Sequence, residues 1–265
     1  MRKTIKIIAG ITAFILIGLL LFVANGLLGN PVSKGLAQQS AWKYIEKTYP
    51  DLDLQVERVN YSFKTGSYFA YVKSQTSIDT HFDLDISLTG TILRDSYGNY
   101  VLSGWNTWER IDSEYRTMVN KVFTAPDFPY ISHINFGSIK TMEADREVGS
   151  PRLVYGISIE DLELDKKYDI KELAKTAGNI TAYIQSEEVT MKRASEVLLH
   201  LKEIFDREEI PFYAMDFVLE KPRKDDGTPN ESMEEIRVND FLYSDIYEGD
   251  LEDRLTKAVE VDQYN

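Results

Sequence analysis

The chain has 265 residues, with 30 Lys and Arg against 43 Asp and Glu, three His and no Cys, for a formal net charge of −13. Without a thiol there is no disulfide, no Cys-ligated zinc or iron-sulfur centre, no Cys nucleophile and no lipid attached through an N-terminal Cys. A hydrophobic content of 43% with 28% charged residues is ordinary for a globular chain and excludes an unfolded polymer.

Ile7 to Leu28 carries no charge, and at about 1.5 Å per residue it predicts a helix of roughly 33 Å, enough to cross a hydrocarbon core. Arg2, Lys3 and Lys6 precede it with no acid among them. The positive-inside rule then places the N-terminus in the cytoplasm and everything after Leu28 outside, as a single-pass cell-membrane protein with an extracytoplasmic C-terminal region. Ala24-Asn25-Gly26 offers a small-x-small cleavage pattern, but the apolar core is longer than the roughly 7 to 15 residues of a signal peptide, which favours a retained anchor. Residues 31–150 carry 12 basic and 15 acidic groups, residues 151–265 carry 15 and 28. That acidic C-terminal half repels phosphates and anionic headgroups, so no nucleic acid partner is expected, and solubility accounts for the charge.

Asn30-Pro31 reads as an N-cap followed by Pro at the first helical position, and Ala37, Ala41, Tyr44, Ile45 and Thr48 continue at helical spacing to Pro50, predicting a helix over 31–49. Period-two patterns follow. One runs from Leu54 to Tyr61, a Gly-containing turn covers Lys64 to Ser67, another runs from Tyr68 to Lys73, and a third sets Phe82, Leu84, Ile86 and Leu88 against His81, Asp83, Asp85 and Ser87. The unit reads as a helix followed by three antiparallel strands.

The run Phe82-Asp83-Leu84-Asp85-Ile86-Ser87-Leu88-Thr89-Gly90-Thr91-Ile92, after an Ala-rich helix and two strands, resembles the last strand of PepSY-type modules. With the N-terminal segment, the stretch Ser103-Gly104-Trp105-Asn106-Thr107 and the overall length, the chain also resembles the YfjL-like proteins, small membrane-anchored bacterial proteins. The resemblance implies an extracytoplasmic location and brings no catalytic residues with it.

Asn106 with Glu109 reads as a capping box for a helix whose stripe is Trp108, Ile111, Tyr115, Met118, Val119 and Val122. Extended segments are predicted near 131–145 and 152–160, a short helix at 169–177 and a strand at Asn179 to Gln185. A long helix over 188–208 has Ala194, Val197, Leu198, Leu201 and Phe205 on one face, and a long-looped hairpin joins Phe212–Glu220 to Ile236–Tyr243. A last helix covers Asp250 to Val259. The expected class is α+β: an N-terminal transmembrane helix (1–30), a PepSY-like helix with a three-stranded sheet (31–104), and an acidic α+β domain (105–265), with helices packed on antiparallel sheets.

Asp79, His81, Asp83 and Asp85 alternate along one strand and share a face, which a half-exposed strand explains better than a cation cage. Asp161, Glu163, Asp165, Asp169 and Glu172 fall at positions 1, 3, 5, 9 and 12 of an EF-hand loop, but Lys166 stands where that loop needs Gly, so acids on the outside of a strand edge are the better account. Tyr97, Tyr100 and Trp105 form an aromatic cluster and are the candidate binding residues. No catalytic motif, metal site or cofactor is expected. The sequence thus favours a protein-binding or regulatory module that meets the membrane through its N-terminal helix and acts on an extracytoplasmic protein. An extracytoplasmic hydrolase using a carboxylate pair is the alternative, and no oligomeric state is assigned.

Overall fold

The structure, a computed structural model, describes residues 2–142, 155–224, 226–228, 232 and 234–263. The chain divides into two compact units, Met1–Asn106 and Thr107–Asn265.

The first unit begins with α1 (Arg2–Leu28), whose apolar side chains stand exposed, Phe14 at 80%. Among the described residues no helix is long and apolar enough to cross a membrane. This corrects the expected N-terminal transmembrane helix.

Gly29 separates α1 from α2 (Pro31–Thr48) with φ +69°, where a Cβ would lie 2.6 Å from the Tyr68 hydroxyl and 2.8 Å from Tyr61 Cγ, so only glycine fits the turn. Asn30 caps α2 as its sequence predicts, its Oδ1 accepting from Ser33 N–H at 2.8 Å. The Tyr68 hydroxyl both accepts from Asn30 N–H and donates to Asn30 O, each at 2.9 Å, which fixes the start of the helix on the sheet.

That sheet is an antiparallel meander of β1 (Leu54–Ser62), β2 (Ser67–Ser74), β3 (His81–Ile86) and β4 (Ile92–Asp95), in sequence order. The fourth strand was not expected; it has four residues, and a register shift at Asp85/Ile86 interrupts its ladder. Period two decides the rest. Tyr68, Ala70 and Val72 on β2 and Phe82, Leu84 and Ile86 on β3 are buried against Ala37, Ala41 and Ile45 of α2, the two alanines allowing close approach. Each such Phe, Leu or Ile contributes roughly 1.5–3 kcal/mol of burial.

A π-helical turn, Gly98–Leu102, then leads into α3 (Trp105–Phe123). The helix starts two residues earlier than the capping-box reading: Ser103 Oγ accepts from Trp105 N–H at 3.2 Å. Asn106 lies inside it, with its amide donating to the backbone oxygens of Asp79 (2.8 Å) and His81 (2.7 Å).

The second unit is built on β5 (Ser132–Ile139), α4 (Ile170–Ala177), β6 (Gly178–Gln185), α5 (Met191–Arg207), β7 (Ala214–Glu220), β8 (Glu235–Leu242) and α6 (Leu251–Gln263). The sheet order is β5-β6-β7-β8. β5–β6 and β7–β8 are antiparallel, whereas β6 and β7 run parallel, joined by α5 as a crossover. The expected stripes are buried: Ile111, Tyr115, Val119 and Val122 on α3, and Ala194, Val197, Leu198, Leu201 and Phe205 on α5. α3 holds the end of β5 at both backbone groups of Ile139, whose N–H donates to Asp112 Oδ1 (2.8 Å) and whose oxygen accepts from Trp108 Nε1 (2.9 Å). Contact is so close that a Cβ on Gly137 would lie 2.5 Å from Val119 Cγ2. Of the extended segments predicted around 131–145 and 152–160, residues 143–145 and 152–154 lie outside the described residues. The remainder forms β5, a parallel bridge between Thr141 and Ile157, and a 3-10 turn at Ile159–Asp161.

Candidate functional site

Sheet register turns the polar half of each strand of the first unit into cross-strand rows on the face opposite α2. Arg58, Tyr71 and Asp83 form one row; Gln55, Lys73 and His81 the next; Asn60, Phe69, Asp85 and Arg94 the third. Directly opposed residues in such rows stand about 4.5–5.5 Å apart. The Arg58 guanidinium lies 4.5 Å above the Tyr71 ring, Tyr71 and His81 have ring centroids 6.0 Å apart, and Lys73 pairs with Glu57. Burial pushes the Asp83 carboxyl above its ordinary value, against the pull of Arg58, Arg94 and His81. Burial, and then the charge of Glu57, push the Tyr71 phenol up. One oxygen of Asp85, Oδ1, is buried without a hydrogen-bond partner.

One end of this face is closed by residues 74–80, a loop held by its own Ser and Thr. Ser74 N–H donates to Thr80 O (2.8 Å), Ser74 Oγ accepts from the N–H groups of Thr76 (3.1 Å) and Ser77 (3.0 Å), and Ser77 Oγ donates to Thr80 Oγ1 (2.6 Å). Gln75 N–H ties the loop to Asp53 O at 3.0 Å, and the Asn106 amide secures its far end. On this rigid support Ile78 is 68% exposed. Between loop and sheet lies an open groove of about 690 Å³ lined by Glu57, Tyr71, Lys73, Ile78 and His81 among others. It offers an aromatic floor, charges of both signs and an apolar rim, a combination suited to holding another chain.

The structure separates the residues singled out in the sequence. His81, Asp83 and Asp85 do share the outer face of β3, but Asp79 precedes the strand and is buried at 1% exposure, so it is not part of that row. Asp161 closes a 3-10 turn, Glu163 pairs with Lys166, Asp169 caps α4 by accepting from Glu172 N–H (3.1 Å), and Glu172 pairs with Lys175 at 2.6 Å. Asp165 takes φ 60° between them. Among the described residues no group of three or more His, Asp or Glu is arranged to hold a metal. Tyr97 packs into the interior, its ring centroid 4.6 Å from Tyr49 and 5.3 Å from Phe82, while Tyr100 and Trp105 stay 39% and 40% exposed. Sequence reasoning missed Arg58, Tyr71, Lys73 and Ile78; the first three lie in the polar phase of the same period-two pattern that located the core, whereas Ile78 sits in the loop between β2 and β3 with no periodic signal.

The second unit has polar clusters on the sheet face away from its helices. His133 Nδ1 lies 3.1 Å from Glu220 Oε1, which also accepts from Arg223 Nε at 3.0 Å. Burial lowers the His133 pKa below its ordinary value, Glu220 raises it and Arg223 lowers it further. At the other end of the same face Tyr155, Asn179, Asp216 and Asp240 interlock.

Known proteins place the two units in one family. Residues 4–96 match the family model described as the YfjL-like N-terminal domain, within the first unit, and residues 114–256 match the YfjL-like C-terminal domain, within the second. A protein of Bacillus subtilis (strain 168) named "Uncharacterized protein YfjL" is 24% identical over 197 residues, which cover 72% of this chain and 75% of that one. No solved structure matches. With a domain model matched on each side of the unit boundary, and the second covering more than half of the sequence, the chain belongs to the YfjL-like family.

Proposed function

We propose that the chain is a protein-binding or regulatory module whose recognition surface is the groove on the outer face of the first sheet, and that its occupant is an extended segment of a partner protein. The observation that carries this reading is exposed Ile78, held by a self-bonded loop beside the half-buried Tyr71 ring. Burying that side chain and ring supplies affinity, and the alternating charges of Glu57, Lys73, Arg58 and Asp83 supply register and selectivity. A rigid loop loses little conformational entropy on binding. The likeness of the first unit to PepSY-type modules, whose relatives often bind or inhibit, belongs with this proposal.

The raised carboxyl of Asp83 is the one feature that favours a hydrolase. Its charged neighbours are Arg58, Arg94 and His81, not a second carboxylate facing it across a cleft. Binding is therefore the preferred reading. The test is photocrosslinking of the full chain in a cell extract, with a photoreactive residue at position 78 and Tyr71→Ala as the paired variant. A discrete partner captured through position 78 and lost with Tyr71→Ala, at unchanged thermal melting, supports the groove; crosslinking indifferent to Tyr71 overturns it. Turnover of an ester or glycoside substrate that Asp83→Asn abolishes would replace binding with hydrolysis.

A further inference from the structure

The second unit has a cavity of about 350 Å³ where the end of α3, the turn after it and the end of α5 meet. Its floor is apolar, formed by Met118, Val122, Phe128, Ile204 and Ile210; Val122, Ile204 and Ile210 belong to the buried core, and Met118 and Phe128 pack against it. The volume sits at the low end of the range for small-molecule sites, roughly 300–1,000 Å³.

Charges ring the mouth, and most are already matched. Arg207 lies 3.4 Å from Glu208, and Lys171 lies 3.4 Å from Glu209. Two remain: among the described residues Lys121 and Asp127 line the cavity with no ion-pair or hydrogen-bond partner. They are of opposite sign, and they are not close enough to pair with each other. A ligand complementary to this site carries an anionic and a cationic group at one end and an apolar body at the other.

We propose that this cavity binds a small apolar zwitterion, an α-amino acid with an aromatic or branched side chain. Its carboxylate meets Lys121, its ammonium meets Asp127, and its side chain lies on the floor formed by Phe128 and Ile204. A ligand with one charge leaves the opposite rim group unmatched. That difference is the source of selectivity. The site belongs to the second unit and stands independently of the groove on the first sheet.

The test is isothermal titration of the full chain with L-phenylalanine and L-leucine, against 3-phenylpropionate, which lacks the ammonium, and 2-phenylethylamine, which lacks the carboxylate. Saturable binding of an amino acid, weakened about tenfold or more in each one-charge analogue, is the expected result. Lys121→Gln should weaken L-phenylalanine binding while leaving 2-phenylethylamine unaffected, and Asp127→Asn should do the reverse with respect to 3-phenylpropionate. Both side chains stand at the rim, so melting of the unliganded protein should not move. No saturable amino-acid binding up to about 10 mM, equal binding of either analogue, or indifference to both substitutions overturns the proposal.

Discussion

Tyr155 donates its hydroxyl proton to Asp240 Oδ1 at 2.7 Å, and the Tyr155 hydroxyl oxygen accepts from Asn179 Nδ2 at 2.7 Å. Asp240 sits in the left-handed region with φ 50°, and its N–H donates to Asp216 Oδ1 at 2.8 Å. Asp216 in turn lies 3.6 Å from Lys140 Nζ. One phenol thus secures a strained position at the end of β8 and satisfies the amide nitrogen of Asn179, which is fully buried.

Tyr155→Phe should therefore destabilise the protein by about 1–3 kcal/mol, because the buried amide of Asn179 loses its acceptor as Asp240 loses its donor. The substitution also has a pH signature. Burial first, and then the hydrogen bond and charge of Asp240, hold the phenol above its ordinary value of 10.0. The unfolded chain gives up this proton at lower pH than the folded one, so the contribution is complete below about pH 10 and is lost as pH rises beyond it. Urea melts at pH 8 and pH 10.5 should show a shallower alkaline loss in the variant than in the native chain. Equal slopes would mean that Tyr155 is not coupled to folding in this way.

Gly137→Ala places a methyl group where Val119 Cγ2 already sits, and the expected cost is about 1–3 kcal/mol from overpacking. Val119→Ala alone leaves a void and also destabilises. Combined, the two should cost less than their sum by at least about 0.5 kcal/mol, since one removes the atom that the other displaces. Additive costs in chemical denaturation would show that β5 and α3 do not touch there.

Glu209, two residues past the end of α5, sits in the left-handed region, φ 54°, where the Ile210 N–H closes back on Phe205 O at 2.9 Å. A residue with a Cβ is disfavoured there by roughly 1–2 kcal/mol. The ion pair of Glu209 with Lys171 involves a carboxylate side chain 83% exposed and contributes little. Glu209→Gly should raise stability by about 0.5–1 kcal/mol after the added freedom of the unfolded chain is counted. A lowered melting temperature would contradict this.

Millimolar calcium should move the melting temperature by little more than magnesium does. Within the acidic run, Glu163 and Glu172 face lysines and Asp169 is occupied as a helix cap, and exposed charges respond weakly to screening. A calcium-specific rise of several degrees, abolished by Asp161→Ala, would establish a metal site at this run.

Helices were legible wherever one face is buried and the cap is local, as with Asn30-Pro31 at the start of α2 and the stripe from Ala194 to Phe205 on α5. Asn106 shows the limit of that reasoning. Its sequence neighbours make it look like a cap, but the Asp79 and His81 carbonyls, distant along the chain, claim its amide. β4 escaped notice because four residues with a register shift give too short a period-two signal. The parallel pairing of β6 with β7 was implicit in the strand-helix-strand order around residues 178–220, since a helix between two strands permits the return that a hairpin turn cannot. The groove was visible only in part. His81, Asp83 and Asp85 announce a polar face, but Arg58, Tyr71 and Lys73 join it through register, which pairwise local patterns do not encode.

The pairing of β6 with β7 also sets an order of events. In the first unit every ladder joins neighbouring strands across a short turn, Ser62 to Ser67 being the shortest. In the second, Asn179 must find Ala214, and the whole of α5 has to be in place before that contact stabilises anything. Chain closure over such a span is slower than hairpin formation. During synthesis the first sheet is complete while the strands of the second still lack their partners. Pulse-labelled hydrogen exchange should find the amides of β1 to β3 protected before those of β6 and β7, which makes the central strands of the acidic unit the segment most exposed to misassembly before folding ends.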